Sequence, residues 1–327
     1  MRPSFDRLRT KAAVAGRFSN PVVSLSNHGN ASATLPGRHA ARVLPCESPM
    51  LRRWSRRFPP AGIERMSSPA AVPATSASIR SGIAAVDRYL ETGYETVPGM
   101  SSRFAAAICC GLLRMQTQMG VTGPIAEIGP FEGRFFIALA HALAPGEKAL
   151  GIDLFDWPNP EVVDRFEANC ARHGIPADRR ITWKADSRRM APAELLAKLD
   201  GRHPRFVHID GEHSRAALTR DLELATAVLA PEGVIVLDDM LHPGYPTLMV
   251  AVHEYLGRHP EMCVLCVIDR ETVVAATKFV LCRRDWFKRY EEKLLEAYKD
   301  NVWPLGADFE PHWCLVLSLD TRLAEIV

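Results

Sequence analysis

The spacing of apolar and polar positions predicts two helices followed by a regular alternation of strands and helices. The segments "SASIRSGIAAVDRYLETG" and "SSRFAAAICCGLLRMQTQMG" each combine serine caps with a glycine stop, which is typical of helices. From Pro124 to Asp239, the apolar runs "PIAEIG", "KALGIDLF", "RITWKAD", "RFVHID" and "GVIVLDD" predict five strands. Helices are predicted between them, over Gly133–Leu143, Glu161–His173, Ala191–Leu199 and Ser214–Leu229.

This alternation predicts an α/β fold with an open, mostly parallel sheet that is covered by helices on both faces. After one more helix, Pro246–Gly257, the runs "MCVLCVID" and "ATKFVLCRR" predict two further strands, which makes a seven-stranded sheet. The turn between these two strands is too short for a parallel crossover, so we expect the pair to be antiparallel. The charged helix "DWFKRYEEKLLEAYKD" and the apolar run "WCLVLSLD" follow.

Charge separates the first 65 residues from the rest of the chain. Residues 1–65 contain 12 Lys and Arg against three acids and show no sustained period, so we expect a disordered or mis-started leader, with Met66 beginning the working protein. A transit peptide, or a nucleic-acid patch at "LRRWSRRFPP", is the alternative. We expect three further segments: an N-terminal helical segment (66–118), the main domain (119–285) and a C-terminal helix and strand extension (286–327).

The eight cysteines and the length of the apolar runs indicate in which cellular compartment the protein works. No apolar run reaches the roughly 18 residues that span a bilayer, so we expect a cytoplasmic protein without a membrane partner. Cys263 and Cys266 form a CxxC within the predicted strand "MCVLCVI". Residues three apart on a strand point to opposite faces, which predicts that these thiols share no metal and are buried and reduced.

In an open α/β sheet, ligands bind beyond the carboxyl ends of the strands. The loop "EIGPFEG" after the first strand contains Glu127, Gly129 and Gly133, and its glycines allow a tight turn close to a ligand at a helix N-terminus. Its GxxxG spacing differs from the GxGxxG of a dinucleotide site. Asp153 follows the second strand, where an acid would hold ribose hydroxyls, and Asp186 follows the third, where it would accept from an exocyclic amine. Each aspartate could instead cap the next helix.

These loops resemble those of the class I S-adenosylmethionine-dependent methyltransferases, which have a Rossmann-like sheet with a reversed last strand. The resemblance runs from about Ser101 to Arg283 and implies S-adenosylmethionine as the cofactor. It implies Glu127 near the methionine amino group, the two glycines under the cofactor, Asp153 at the ribose, and Asp186 and Ser187 beside the adenine.

A second group of polar residues follows the fourth and fifth strands. Asp210, Asp238 and Asp239 would converge on one edge of the sheet, and three carboxylates without a nearby cysteine suit a hard cation such as Mg²⁺. His213 follows three residues after Asp210, and its near-neutral pKa suits a general base. The alternative is that His213 caps its helix and that the aspartates cap loops.

"HIDGEHS" followed by "DL" resembles the methyltransferase domain 24 type and, more distantly, the metal-dependent sugar and catechol O-methyltransferases. The resemblance implies Asp210, Asp238 and Asp239 as metal ligands, and Asp210 and His213 as catalytic residues. Glu212 is an extra carboxylate without an assigned role. His208 is expected to be structural, and His242 and Tyr245 to line the acceptor pocket.

The predicted function is therefore S-adenosylmethionine-dependent O-methylation of a small hydroxylated acceptor, such as a sugar, a glycan, a phenol or another secondary metabolite, with divalent-metal assistance as one option. The alternatives are a nicotinamide-dependent oxidoreductase on a related sheet and a non-catalytic binding protein. The expected partner is a small-molecule acceptor and not a nucleic acid, and a homo-oligomer stays open.

Overall fold

The computed structural model describes residues 79–321, so the predicted leader (1–65) lies outside the described residues. The helices are α1 (Ala84–Thr92), α2 (Arg103–Gln118), α3 (Arg134–His141), α4 (Val162–Arg172), α5 (Pro192–Lys198), α6 (Arg215–Val228), α7 (Thr247–Arg258) and α8 (Arg284–Ala297). The strands are β1 (Ile125–Ile128), β2 (Ala149–Asp153), β3 (Arg180–Lys184), β4 (Phe206–Ile209), β5 (Val234–Met240), β6 (Met262–Ile268), β7 (Thr277–Arg283), β8 (Ala307–Asp308) and β9 (Trp313–Leu317). None of the helices within this part of the chain is both long and apolar enough to cross a membrane.

The strands form one sheet in the order β3-β2-β1-β4-β5-β7-β6-β9-β8. The pairs among β1 to β5 are parallel, and β7 runs antiparallel to both β5 and β6, which confirms the predicted α/β class and its antiparallel last pair. The described sheet has nine strands and not seven, because β9 pairs parallel with β6 and β8 pairs antiparallel with β9. The apolar run "WCLVLSLD" therefore extends the sheet.

Local sequence signals explain where several helices begin. Ser102 caps α2 by accepting a hydrogen bond from the Ala105 N–H, and Ser214 caps α6 by accepting from the Ala217 N–H. Gly133 precedes α3 with a φ of 94°, a conformation that a glycine adopts without strain. The helices predicted from Ser101 to Gly257 form with ends that differ by one or two residues, whereas α1 begins only at Ala84 within its predicted segment and α8 ends three residues early, at Ala297.

Two buried layers cover the sheet. One layer packs α1, α2 and α3 on one face, and the other packs α5, α6 and α7 on the opposite face. At the base of the first layer, the fully buried Arg205 donates to the Glu147 carboxylate at 2.6 Å and to the Leu113 carbonyl at 2.8 Å. This paired charge ties α2 to the loop before β2 and to the start of β4.

The strand that contains the CxxC differs from the sequence prediction. A bulge between Val264 and Cys266 interrupts the alternation of β6, so that Cys263 and Cys266 belong to the same buried layer. The prediction that they point to opposite faces was wrong for this reason. The cysteines between residues 79 and 321 are buried free thiols, and none of them belongs to a group with metal-binding spacing.

Candidate active site

A cavity of about 590 Å³ opens at the carboxyl ends of β1 to β4. This is the edge at which an open α/β sheet binds its ligands. The predicted site residues that line the cavity are Glu127, Gly129, Asp153, Asp186, Ser187, Asp210 and His213. The cavity is also lined by the segment before α2, from Pro98 to Ser101.

The glycine loop holds the cavity floor against the neighbouring strand. Gly129 has a φ of 84°, and a Cβ added there would lie 2.0 Å from the main-chain oxygen of Asp210. The glycine is therefore required by the close approach of the loop after β4, and not only by the space for a ligand. At Gly133, which does not line the cavity, a Cβ would lie 3.1 Å from the ring of Phe166.

Glu127 is a buried carboxylate at the wall of the cavity, and one of its two oxygens has no partner among the described residues. Its Oε1 lies 2.7 Å from Nδ1 of His208, whereas its Oε2 has no hydrogen-bond partner among the described residues. Burial, together with the nearby negative charge of Asp210, raises the pKa of Glu127 well above its ordinary value. A ligand ammonium would satisfy this oxygen and offset the cost of its burial.

Asp153 ends β2 and points into the cavity beside the glycine loop. Its Oδ1 accepts a hydrogen bond from the Phe155 N–H at 2.8 Å, and its Oδ2 lies 3.4 Å from the Phe131 N. Burial raises the pKa of Asp153. A carboxylate oxygen can accept more than one hydrogen bond, so Oδ2 could also accept from a ribose hydroxyl in the cavity.

Asp186 is engaged by a neighbouring guanidinium. Its Oδ1 accepts from Nε of Arg188 at 2.8 Å and its Oδ2 accepts from Nη2 at 3.0 Å. These hydrogen bonds lower the pKa of Asp186. Arg188 also forms an ion pair with Glu212, which gives that unassigned carboxylate a role. The ion pairs join the loop after β3 to the loop after β4 across the cavity.

Asp221, on α6, is a cavity-lining acid that we did not predict as a site residue. It is buried, and its Oδ1 has no hydrogen-bond partner within the described chain. Burial raises the pKa of Asp221 to about 6, against the effect of the Ser187 hydroxyl and of Arg188. The signal for it was present in the "DL" of the motif, but the sequence did not indicate that α6 turns this acid toward the cavity.

His213 lies between two carboxylates at the other end of the cavity. Its Nε2 is 2.7 Å from Oδ2 of Asp239 and 3.9 Å from Oδ1 of Asp210. Burial acts to lower the pKa of His213, but the hydrogen bonds to Asp210 and Asp239 outweigh it and raise the pKa to about 10. The ring is therefore a protonated imidazolium at neutral pH, as long as the two carboxylates keep their hydrogen bonds to it.

The two aspartates at the end of β5 have different surroundings: Asp239 lies against His213, and Asp238 points into the protein. Asp239 has a φ of 57°, which is uncommon for a residue with a side chain, and the strand register shifts between Leu237 and Met240. This backbone turns Asp239 toward His213 and directs Asp238 into the protein.

Asp238 forms an ion pair with Lys278, a fully buried residue of β7. Burial acts to raise the pKa of Asp238, but the ammonium of Lys278 lowers it to about 2. Asp238 therefore has a cation of its own, while it also lies within metal-binding distance of Asp210. Its role as a metal ligand stays a prediction. Lys278 was missed, although a lysine within the apolar run "ATKFVLC" is a signal, because fully buried lysines are rare unless they are paired.

Two groups within residues 79–321 have metal-binding spacing: His208 with Asp210 and Asp238, and Asp210 with His213 and Asp239. The first group contains the ammonium of Lys278, which lies 3.1 Å from Nε2 of His208 and pairs with Asp238. The second group contains no lysine or arginine, and its only positive charge is the proton on His213, with which a divalent cation would compete. Burial and the charge of Asp238 raise the pKa of Asp210 to about 7, so a cation there would relieve carboxylate repulsion. The second group fits a divalent cation better than the first does.

Aromatic side chains form the wall next to His213. The Tyr245 ring lies 4.3 Å from the His213 ring and 4.7 Å from the His242 ring, measured between centroids. Tyr245 lines the cavity, as predicted, whereas His242 stacks behind it. This wall offers an apolar surface to a bound acceptor.

Residues 126–240 match a family model described as a methyltransferase domain. The match extends from β1 to the end of β5, which is the part of the sheet that carries the cavity. This part of the chain is therefore similar to a methyltransferase domain, which favours a methyltransferase over the nicotinamide-dependent and non-catalytic alternatives. No curated protein matches the chain.

Solved structures of low identity are also similar to the chain. One is the O-methyltransferase TomG from Streptomyces achromogenes, involved in tomaymycin synthesis, in complex with S-adenosylmethionine, with 20% identity and a TM-score of 0.43 over 61% of this chain and 89% of that chain. Another is an O-methyltransferase from Bacillus cereus in complex with S-adenosylhomocysteine, with 15% identity and a TM-score of 0.42 over 66% of this chain and 94% of that chain.

Proposed function

We propose that the protein methylates a hydroxyl oxygen of a small acceptor, with S-adenosylmethionine as the methyl donor and His213 as the general base. The observation that carries this proposal is the position of His213 between Asp210 and Asp239 at the edge of the cavity. A hydroxyl is a weak nucleophile until its proton is removed. An imidazole held by two carboxylates can accept that proton and share the resulting charge.

The cofactor would lie across β1 to β3. Its methionine ammonium would meet the unpartnered Oε2 of Glu127, and its ribose hydroxyls would meet Asp153. Because Asp186 is engaged by Arg188, the unpartnered Oδ1 of Asp221 is a second acceptor for the adenine amine. The cationic sulfonium supplies the leaving group, so the residues of the chain mainly position the acceptor and take its proton.

In the transfer step, the acceptor oxygen forms a bond to the methyl carbon as the carbon–sulfur bond breaks, and the hydroxyl proton moves to Nδ1 of His213, while Nε2–H of the same ring donates to Asp239. The step requires the neutral imidazole, whereas the two carboxylates stabilise the protonated ring that the step produces. Asp210 and Asp239 would hold a divalent cation, with His213 beside it. Such a cation would lower the pKa of a bound hydroxyl.

The direct test is methyl transfer from radiolabelled S-adenosylmethionine to a panel of hydroxylated sugars and phenols. We expect His213→Ala to keep cofactor affinity and to lose about 10²–10⁴-fold in turnover, which is the usual contribution of a positioned base. Asp210→Asn should make activity depend on added Mg²⁺ or Mn²⁺. The base assignment is refuted if His213→Ala turns over at the wild-type rate, and the cation assignment if EDTA-treated wild-type enzyme keeps full activity.

A further inference from the structure

A buried chain of polar side chains connects the cofactor end of the cavity to β7. Oε1 of Glu127 lies 2.7 Å from Nδ1 of His208, and Nε2 of the same imidazole lies 3.1 Å from Nζ of Lys278. Lys278 in turn pairs with Asp238. His208 and Lys278 are fully buried and Glu127 is nearly so, so water cannot exchange with these contacts as it does at a surface.

The donors and acceptors in this chain run in one direction. An ammonium has three N–H donors and no acceptor, so Lys278 must donate to Nε2 of His208. The proton of the neutral imidazole is then assigned to Nδ1, which donates to Oε1 of Glu127. Because Nε2 accepts from Lys278, the ring carries a single proton, on Nδ1, and is neutral.

Lys278 is fixed as an ammonium by its other contacts. Its Nζ lies 3.5 Å from Oγ of Ser101 and 4.6 Å from the centre of the Phe135 ring, in addition to the ion pair with Asp238. Asp238 supplies the opposite charge that a fully buried ammonium requires. The direction of the hydrogen bonds is therefore set by a charge that the protein holds in place.

We propose that Lys278 and His208 are positioning residues for the cofactor, because they fix one oxygen of Glu127 and leave the other, which has no partner among the described residues at the cavity wall, as the acceptor for the methionine ammonium. The sequence had assigned His208 a structural role and had not singled out Lys278. The inference rests on the proposed cofactor site and adds to it the residues that orient its carboxylate.

A purely structural network would satisfy all of its buried atoms, since each unpaired buried oxygen costs about 1–3 kcal/mol. Oε2 of Glu127 breaks this rule among the described residues, and it does so at the wall of the cavity. The chain of hydrogen bonds from Lys278 therefore ends at an oxygen of Glu127 that can accept a hydrogen bond from a ligand.

The test uses two substitutions of His208, each of which keeps one of the two hydrogen bonds of the imidazole and removes the other. His208→Asn places an amide donor near the position of Nδ1, so it can still donate to Glu127 but no longer reaches Lys278. His208→Gln places its amide near the position of Nε2, so it keeps the contact with Lys278 and loses the donor to Glu127. Both side chains are neutral, and the thermal midpoint of each variant checks that it folds.

Two ligands are compared by calorimetry: S-adenosylhomocysteine, and methylthioadenosine, which has the same nucleoside and sulfur but no amino-acid group. We expect His208→Gln to bind S-adenosylhomocysteine about 10-fold to 100-fold more weakly, the range for losing a hydrogen bond to a charged group, and His208→Asn to lose less than about threefold. Methylthioadenosine should bind all three proteins equally. Equal losses for both ligands, or no loss in His208→Gln, would overturn the proposal.

The role of Lys278 is tested without leaving a buried charge unpaired. In the double variant Lys278→Met with Asp238→Asn, both charges are removed together, so the protein avoids the cost of an isolated ion. We expect ¹⁵N spectra of the imidazole to show Nδ1–H in the wild type and a mixture of tautomers in the double variant. If the wild-type spectrum shows the proton of His208 on Nε2, the proposal is refuted by that spectrum alone. If the wild-type protein binds neither S-adenosylhomocysteine nor methylthioadenosine, the proposed function is refuted instead.

Discussion

We expect Asp239→Asn to move the titration of His213 to lower pH. Nε2 of His213 lies 2.7 Å from Asp239 and 3.9 Å from Asp210, and these carboxylates raise the pKa of the ring to about 10. A raised pKa means that the protonated ring dominates below it, so at pH 7 only about one ring in a thousand is neutral. Since the neutral ring is the base, metal-free activity should rise with pH, by roughly tenfold per unit up to the pKa.

The expected size of the shift follows from the contact that is removed. A hydrogen bond to a charged group contributes about 1.5–3 kcal/mol, and each pKa unit corresponds to about 1.36 kcal/mol. Asp239→Asn should therefore lower the pKa of His213 by roughly one to two units, with Asp210 keeping the rest of the effect. Adding Mg²⁺ or Mn²⁺ to the wild type should shift the titration in the same direction, because a cation would engage the same carboxylates and repel the charged ring.

The assay is an NMR titration of the His213 ring in labelled protein with EDTA, between roughly pH 6 and pH 11, followed by single-turnover methyl transfer once an acceptor is known. Glu212→Gln is the matched control, since that carboxylate neighbours His213 in sequence but pairs with Arg188. The control should leave the His213 titration unchanged. Two results would refute this reasoning: a wild-type ring with a pKa near the ordinary histidine value, or identical titration curves for Asp239→Asn and wild type. In either case the carboxylates do not raise the pKa of His213, and no cation is needed to lower it.

Three further predictions concern the scaffold and the adenine end of the cavity. Gly129→Ala should lower the free energy of unfolding by about 1–3 kcal/mol or more, because its Cβ would lie 2.0 Å from a main-chain oxygen; urea denaturation measures this, and an unchanged midpoint would contradict it. Glu147→Gln should lower the free energy of unfolding by about 3–5 kcal/mol, because it leaves the buried guanidinium of Arg205 without its carboxylate. Lys148→Ala, which removes an exposed ion pair, is the control and should lower it by less than about 1 kcal/mol in the same measurement. Asp221→Asn should weaken methylthioadenosine binding more than Asp186→Asn does, and the reverse order would return the adenine to Asp186.

The alternation of apolar runs was sufficient to predict the order of elements from α1 to α8 and the antiparallel last pair. These features depend on local periodicity and on the length of a turn, both of which can be read along the chain. The positions of Glu127, Asp153 and Asp210 at one edge followed as well, because parallel strands bring their carboxyl ends together. The sequence therefore determined which strand ends form the cavity.

The pairing of charges within the cavity was decided by the tertiary structure. Asp238 and Asp239 are neighbours in sequence, yet a register shift and a left-handed residue give one of them to Lys278 and the other to His213. A bulge likewise placed both CxxC thiols in one layer, against the strict alternation of a strand. Which carboxylate receives a cation depends on side chains that are far apart in sequence and on local departures from ideal strand geometry. Neither is encoded in the periodicity of a single segment.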